Sequence, residues 1–208
     1  MNDEFRLARP VISLLSGVLL CLAAATTVSA SDLIEDCNHC HGQNGVSTEP
    51  TIPTLAGMSE VFLLDTVAIY MDGDRPCVEA EYLAGPDKGS KTDMCKIIDG
   101  LSEAQIEESA KYYAGQQYVR AQQDFDAERA ARGEKLHNSG CKKCHEDGGS
   151  VADDDAGFLA GQWTPYLRQS LEHYSAGTRV MPKKMKPKYE KLSADEIEDL
   201  LHYYASLQ

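Results

Sequence analysis

Hydrophobic and polar positions along the chain fall into a helical rhythm in several stretches. Ser102 with Gln105, and Ser193 with Glu196, each form a serine and an amide or acid three residues apart. That pattern reads as a capping box, in which each side chain takes up the other residue's free backbone N–H. Each box opens a run with apolar positions at helical spacing: Ile106, Ala110 and Tyr113 in one, Ile197, Leu200, Leu201 and Tyr204 in the other. Thr164 followed by Pro165 predicts an N-cap and a first-turn proline, with Gly177 ending that helix and Ser59 to Asp72 as its counterpart. Asp126 to Asn138 predicts a further helix with Ala127, Ala130, Ala131 and Leu136 available to pack. No alternating run of five or more residues predicts a strand, so an all-α fold is expected.

The first thirty residues belong to another kind of pattern. Arg6 and Arg9 precede the apolar run Val11 to Ala25, and Val28-Ser29-Ala30 follows as a small-residue cleavage site. Residues 1–30 are therefore expected to be an export signal, and the mature chain periplasmic. The weaker alternative is a retained anchor, for which the run falls short of the ~20 residues a spanning helix needs. Cys21 lies inside the run after Leu20, not after the small residue a lipid-attachment site wants, and leaves with the signal. No membrane contact is expected after cleavage.

The rest of the chain repeats itself. Cys37-Asn38-His39-Cys40-His41 recurs as Cys141-Lys142-Lys143-Cys144-His145, at an offset that also pairs Leu55-Ala56-Gly57 with Leu159-Ala160-Gly161, Tyr70 with Tyr174, Gly73 with Gly177 and Arg75 with Arg179. Past Arg75 the offset shortens, pairing Met94 with Met185, Leu101-Ser102 with Leu192-Ser193, and Tyr112-Tyr113 with Tyr203-Tyr204. The first copy thus carries an insertion between Arg75 and Met94. Two tandem units are expected, residues 31–118 and 119–208, with the boundary in the polar stretch Gln116 to Asp126. Units this small gain stability from a large buried cofactor.

Cys-x-x-Cys-His is the attachment signature of c-type haem. Cys37 and Cys40, then Cys141 and Cys144, are expected to add to haem vinyl groups, giving two covalently bound haems with His41 and His145 as proximal iron ligands. Two weaker readings of the same residues are a zinc held jointly by both cysteine pairs and a thioredoxin-like dithiol, whose strand-helix-strand setting is absent. A Met on the far side of the iron makes an electron carrier of raised potential, whereas an open site makes a catalyst. Met94 and Met185 are the methionines that correspond in the repeat, so they are the expected sixth ligands, with Met181 competing for the second iron. Met58 and Met71 read as core filler, and His39, His137, His173 and His202 as structural or surface residues.

Cys77 and Cys95 remain, at the two edges of the insertion. In an exported protein two spare thiols most often pair, and the bond would brace the segment presenting Met94. The alternative is that Cys95 acts as a redox-sensitive thiol.

Charge narrows the partners. The 208 residues carry 20 Lys+Arg against 33 Asp+Glu, a formal net charge of -13, which argues against nucleic acid. Most of the net negative charge lies in the first unit, which has few Lys and Arg, while Lys183, Lys184, Lys186, Lys188 and Lys191 surround Met185 and Lys142 and Lys143 sit inside the second attachment motif. A basic rim there would steer an acidic partner, against the plainer reading of solvated lysines.

Taken together, Cys37-x-x-Cys40-His41-Gly42, Pro53-x-Leu55-Ala56-Gly57, Met94 ahead of Leu101-Ser102, and Leu159-Ala160-Gly161-Gln162 with Gly177-x-Arg179 and Met185 resemble the dihaem cytochromes of the cytochrome c4 type. The resemblance implies two class I cytochrome c-like folds in tandem. Within that group, Gly133-x-Lys135-Leu136-His137, Leu159 to Leu167 and Met181-x-Lys183-Lys184-Met185 are most similar to the cytochrome subunit of flavocytochrome c sulfide dehydrogenase. That similarity implies an FAD-containing oxidoreductase subunit as donor, a heterodimer, and a downstream electron acceptor. The chain departs from the family where Gly157 stands opposite Pro53, the proline whose carbonyl orients the haem histidine in the family, where Glu146 replaces the glycine after the motif, and in the insertion.

The leading expectation is a haem subunit that relays electrons and is not by itself an enzyme. The alternatives are a free-standing dihaem shuttle to a terminal oxidase and, less expected, a dihaem peroxidase or thiosulfate-oxidising enzyme with one iron open.

Overall fold

A computed structural model of the protein describes residues 30–208; the expected export signal, residues 1–30, lies outside them except for Ala30. The first half contains α1 (Ala30–His41), α2 (Glu60–Met71), a hairpin of β1 (Ala80–Glu81) and β2 (Lys91–Thr92), α3 (Met94–Asp99) and α4 (Glu103–Ala114). The second contains α5 (Ala127–Gly140), α6 (Thr164–Ser175), α7 (Lys186–Tyr189) and α8 (Ala194–Ser206). The architecture is helical, with long irregular connections between several of the helices.

Local chemistry starts each helix. Both capping boxes form, Ser102 with Gln105 at the head of α4 and Ser193 with Glu196 at the head of α8. Ser59 caps α2 by accepting from the Phe62 N–H at 3.0 Å, and Asp126 caps α5 by accepting from Glu128 and Arg129. At α6 the sequence expectation shifts by one residue. Trp163 occupies the N-cap position and Thr164 is the first helical residue, its N–H donating to Gln123 Oε1 at 2.9 Å.

The insertion folds as the two-residue strands, antiparallel with Ala80 opposite Thr92 and Glu81 opposite Lys91. Strands this short leave no alternation to read in the sequence. Cys77 and Cys95 close the base of the hairpin as a disulfide, with Cα atoms 5.7 Å apart.

Each half has its own apolar centre. Ile34, Met58, Leu63, Ala110 and Tyr113 pack in the first, joined by Phe158 from the second half. Leu167, Leu200, Leu201, Tyr203 and Tyr204 pack in the other. Helices α5 and α8 lie against each other so closely that a β-carbon at Gly133 would meet the Asp199 carbonyl. Arg129 and Arg132 on α5 clamp the Asp199 carboxylate, at 3.1 and 2.7 Å.

The halves are joined by directed polar contacts. The Gln162 side chain, fully buried, accepts from the Thr54 N–H at 3.1 Å and donates to the Thr54 carbonyl at 3.0 Å. The Trp163 indole donates to the Ser47 carbonyl at 3.0 Å, and the Tyr166 N–H to the Pro50 carbonyl at 3.1 Å. Residues 115–126, without helix or strand, lie along the second half, where the Tyr118 hydroxyl donates to the Ala160 carbonyl and its ring packs on Phe158.

Candidate functional site

The last turn of α1 carries Cys37, Cys40 and His41. A cavity of about 500 Å³ opens beside them, and its wall includes Cys37, Cys40 and His41 as well as Met94 from the start of α3. That size falls within the range of about 300–1,000 Å³ common to cofactor sites. Ile52, Leu55, Leu63, Ile98 and Ala110 make much of the wall apolar. The structure therefore brings four sequence-predicted residues of the first unit around one space, and Asp93 fixes Met94 by capping α3 through the Lys96 N–H at 3.0 Å.

The proximal histidine is held in one tautomer. His41 Nδ1 lies 3.0 Å from the Pro53 carbonyl, an acceptor only, so Nδ1 carries the hydrogen and Nε2 the lone pair. Burial lowers the His41 pKa, and this outweighs the carbonyl bond, so the imidazole is in its neutral, ligating form. Burial also pushes the Cys37 thiol up to about 11, against a hydrogen bond from Tyr113. The Tyr113 hydroxyl in turn donates to Asn38 Oδ1 at 3.1 Å.

At its far end the cavity turns polar and cationic. Arg75 is 7% exposed; its guanidinium donates to the Tyr166 hydroxyl at 3.1 Å and sits 4.6 Å above the Tyr70 ring. Arg179, its repeat partner, is equally buried, lies 4.4 Å above the Tyr174 ring, and leaves Nε without a hydrogen-bond partner. Burial would raise the Tyr166 pKa, but Arg75 and Arg179 outweigh it and lower it. Two buried guanidiniums facing tyrosines, one with an unpaired N–H, suit an anionic group. An iron macrocycle with acidic side chains and reactive vinyl groups fits these residues: thiols for the vinyls, imidazole and thioether for the metal, and arginine for the carboxylates.

The second motif repeats this with differences. Cys141 ends α5 as its C-cap, and Tyr204 is hydrogen-bonded to it as Tyr113 is to Cys37. His145 is half-buried, its pKa also lowered by burial, and Nδ1 has no hydrogen-bond partner. Gly157 stands where the first unit has Pro53, the residue whose carbonyl holds His41. Met185 stands at the N-cap of α7 and is half-buried, as is Met181. His137, fully buried, replaces the buried Leu33 of the first unit; it bonds the Tyr204 hydroxyl at 3.2 Å and packs against Tyr203.

Sequence reasoning missed what one unit does for the other. Tyr166, Gln169, Ser170 and His173, all on α6, complete the wall of the first cavity. No repeat signal marks such a contact, because the repeat pairs residues within each unit and carries no information about what one unit presents to the other. Met58, read as filler, lines the same cavity while belonging to the core, and Met71 is 66% exposed. Among the described residues, no helix is long and apolar enough to cross a membrane.

Comparison with known proteins gives a consistent result. Residues 128–203 match the family model described as cytochrome C oxidase, cbb3-type, subunit III. The chain is 31% identical to cytochrome c4 of Stutzerimonas stutzeri over 203 residues, covering 89% of this chain and 90% of that protein. It superposes on the crystal structure of reduced recombinant cytochrome c4 from Pseudomonas stutzeri with a TM-score of 0.67 at 28% identity, covering 88% of this chain and 100% of the other. It is also 26% identical to a protein of Thiomonas intermedia (strain K12) named thiosulfate dehydrogenase electron acceptor, covering 78% of this chain and 73% of that one.

Proposed function

The chain belongs to the cytochrome c4 family, and from that premise we propose that it is a periplasmic carrier passing electrons one at a time through two haems. It is built as two tandem cytochrome c domains and carries two covalently bound haem c groups. In the first, Cys37 and Cys40 would hold the macrocycle, with His41 and Met94 as the side chains that would ligate the iron. In the second, Cys141 and Cys144 would hold it, with His145 and Met185 as the corresponding ligands, Met185 in preference to Met181 because Met185 corresponds to Met94. The observation that carries this reading is the single cavity whose wall joins Cys37, Cys40 and His41 to Met94.

Bound haem supplies reversible one-electron exchange at iron. The chain supplies the rest. Pro53 orients His41 and strengthens it as a donor through the Nδ1–H bond. Apolar walls exclude water. Arg75, buried in the cavity wall, would pair with a carboxylate of the bound group. The disulfide from Cys77 to Cys95 anchors the residue next to Met94 and would keep its thioether in position.

A finer reading concerns the donor. The stretches from Gly133 to His137 and from Leu159 to Leu167 favour an FAD-containing oxidoreductase subunit and a heterodimer, whereas the family itself favours a free-standing shuttle. The relative named as electron acceptor of thiosulfate dehydrogenase favours sulfur-compound oxidation as the source of electrons in either case. Replacing Met94 and Met185 by Ala, one at a time, tests the core of the proposal. Each change removes half of the weak far-red band that thioether ligation gives ferric haem, and a band of unchanged strength refutes the assignment. Affinity purification from the native host separates the donor readings: an FAD protein in fixed ratio supports the heterodimer, and a monomer supports the shuttle.

A further inference from the structure

The two attachment motifs are alike in sequence but not in exposure. In the first, Asn38 and His39 are buried at 8% and 9% exposure. Their counterparts in the second, Lys142 and Lys143, are exposed, as is Cys144 where Cys40 is half-buried. The difference comes from the insertion. The N–H groups of Leu83 and Ala84 donate to the His39 carbonyl at 2.9 and 3.2 Å, the Glu81 carbonyl approaches the Cys40 sulfur at 4.0 Å, and a β-carbon at Gly85 would run into the His39 ring. The hairpin of β1 and β2 is thus laid over the outer face of the first motif, pinned by its own disulfide.

Among the described residues, nothing comparable covers the second motif. Lys183, Lys184, Lys186 and Lys188 are exposed beside it, and Lys188 lies close enough to Cys141 to act on its thiol. Along residues 183–191 the one acid is Glu190, which pairs with Lys186 at 3.7 Å. The acids next to His145, Glu146 and Asp147, are exposed too, and Asp154 is turned inward to accept from the Glu146 N–H.

We propose that the hairpin closes the first haem's edge to redox partners, so that both haems exchange electrons with an acidic acceptor protein through the lysine-rimmed edge of the second haem. This rests on the carrier reading above and adds the route. Electrons from the first haem cross the domain seam before they leave. Partners are collected by the lysines, whose attraction raises encounter rates and fades with salt.

The test uses the mature protein with both haems in place, fully reduced, mixed in stopped flow with hexacyanoferrate(III) as an anionic probe. Each ferrous haem gives one electron to one hexacyanoferrate(III), leaving ferric haem and hexacyanoferrate(II). The expected result is that rising salt slows both oxidation phases, and that Lys143→Glu with Lys188→Glu slows both by roughly ten-fold at low salt. Lys88→Glu, on the exposed turn of the hairpin, slows neither. Lys188→Glu alone serves if the double variant loses haem. A double variant that slows one phase only, or a Lys88→Glu change that slows the first haem, overturns the proposal. A second readout needs no turnover: a neutral gadolinium chelate broadens the haem methyl resonances of the second domain and spares those of the first. Equal broadening overturns the proposal. A protein lacking one haem would overturn the carrier reading as well, whereas two intact haems with separate exits overturn this inference alone.

Discussion

Gln162 is the residue through which the second domain reaches the first haem site. Its amide makes two hydrogen bonds across the seam, to the N–H and the carbonyl of Thr54, and Thr54 directly follows Pro53, whose carbonyl holds His41. Thr54 is 2% exposed and Gln162 is fully buried, so water has no ready access to either group. Gln162→Ala removes both bonds, together with the one its Oε1 accepts from the Trp163 N–H at 3.1 Å, and leaves the two buried Thr54 backbone groups unpaired. At about 1 kcal/mol for each bond and 1–3 kcal/mol for each orphaned group, with partial relief from local relaxation, the loss comes to about 2–5 kcal/mol. For domains of this size that lowers the melting midpoint of the oxidised protein by roughly 10 °C or more. Circular dichroism reads the midpoint, and the haem methyl spectrum reports on His41: the first domain's resonances move while the second's hold. Gln162→Met, of similar length but without the bonds, behaves like the alanine variant. An unchanged midpoint, or a spectral change confined to the second domain, would refute the reasoning.

Three further predictions follow from the same contacts. Gly133→Ala drives a methyl group into the Asp199 carbonyl where α5 crosses α8, and costs about 1–3 kcal/mol in urea unfolding. Asp199 is held below the usual carboxylate range, chiefly by its bond to Arg132, so its contribution is full above the ordinary aspartate pKa and is lost as pH falls through the lowered one. Acid titration followed by circular dichroism therefore shows a loss of stability below about pH 4 that Asp199→Asn reduces, and an unchanged acid limb in the variant would contradict the pairing. Replacing Cys77 and Cys95 together by Ser removes a crosslink between residues 18 apart in sequence, worth about 3 kcal/mol by chain entropy. The first domain then melts earlier and its far-red band weakens, with the second domain's unaffected.

How far the sequence could be read depended on whether a feature was local. Capping boxes at Ser102 and Ser193 are decided within one helical turn, and both are seen as read. The repeat could be followed because each domain must solve the same packing problem, so Tyr113 and Tyr204 return to the same place beside Cys37 and Cys141. Thr164 was misread by one position because Gln123, distant in sequence, takes over its backbone N–H. The role of Gln162 could not be read at all, since its first-domain counterpart is Met58, a core residue, and nothing in the repeat announces a contact between the domains. The insertion's length was evident but not its purpose, because two-residue strands have no periodicity and the hairpin is held to the first motif by Leu83 and Ala84, outside the strands, through a backbone carbonyl at His39. His137, without a counterpart in the repeat and read as structural or surface, is structural: it lies fully buried in a tyrosine cluster of the second domain.

The account depends most on covalent haem at both motifs. The mature protein, purified from a host able to attach haem, is denatured and extracted with acidic acetone, and the mass and haem absorbance of the washed polypeptide are measured. The account predicts that two haems remain on every chain, falling to one when Cys141 and Cys144 are replaced by Ala. A washed chain that retains no haem, or keeps two in that variant, would contradict it.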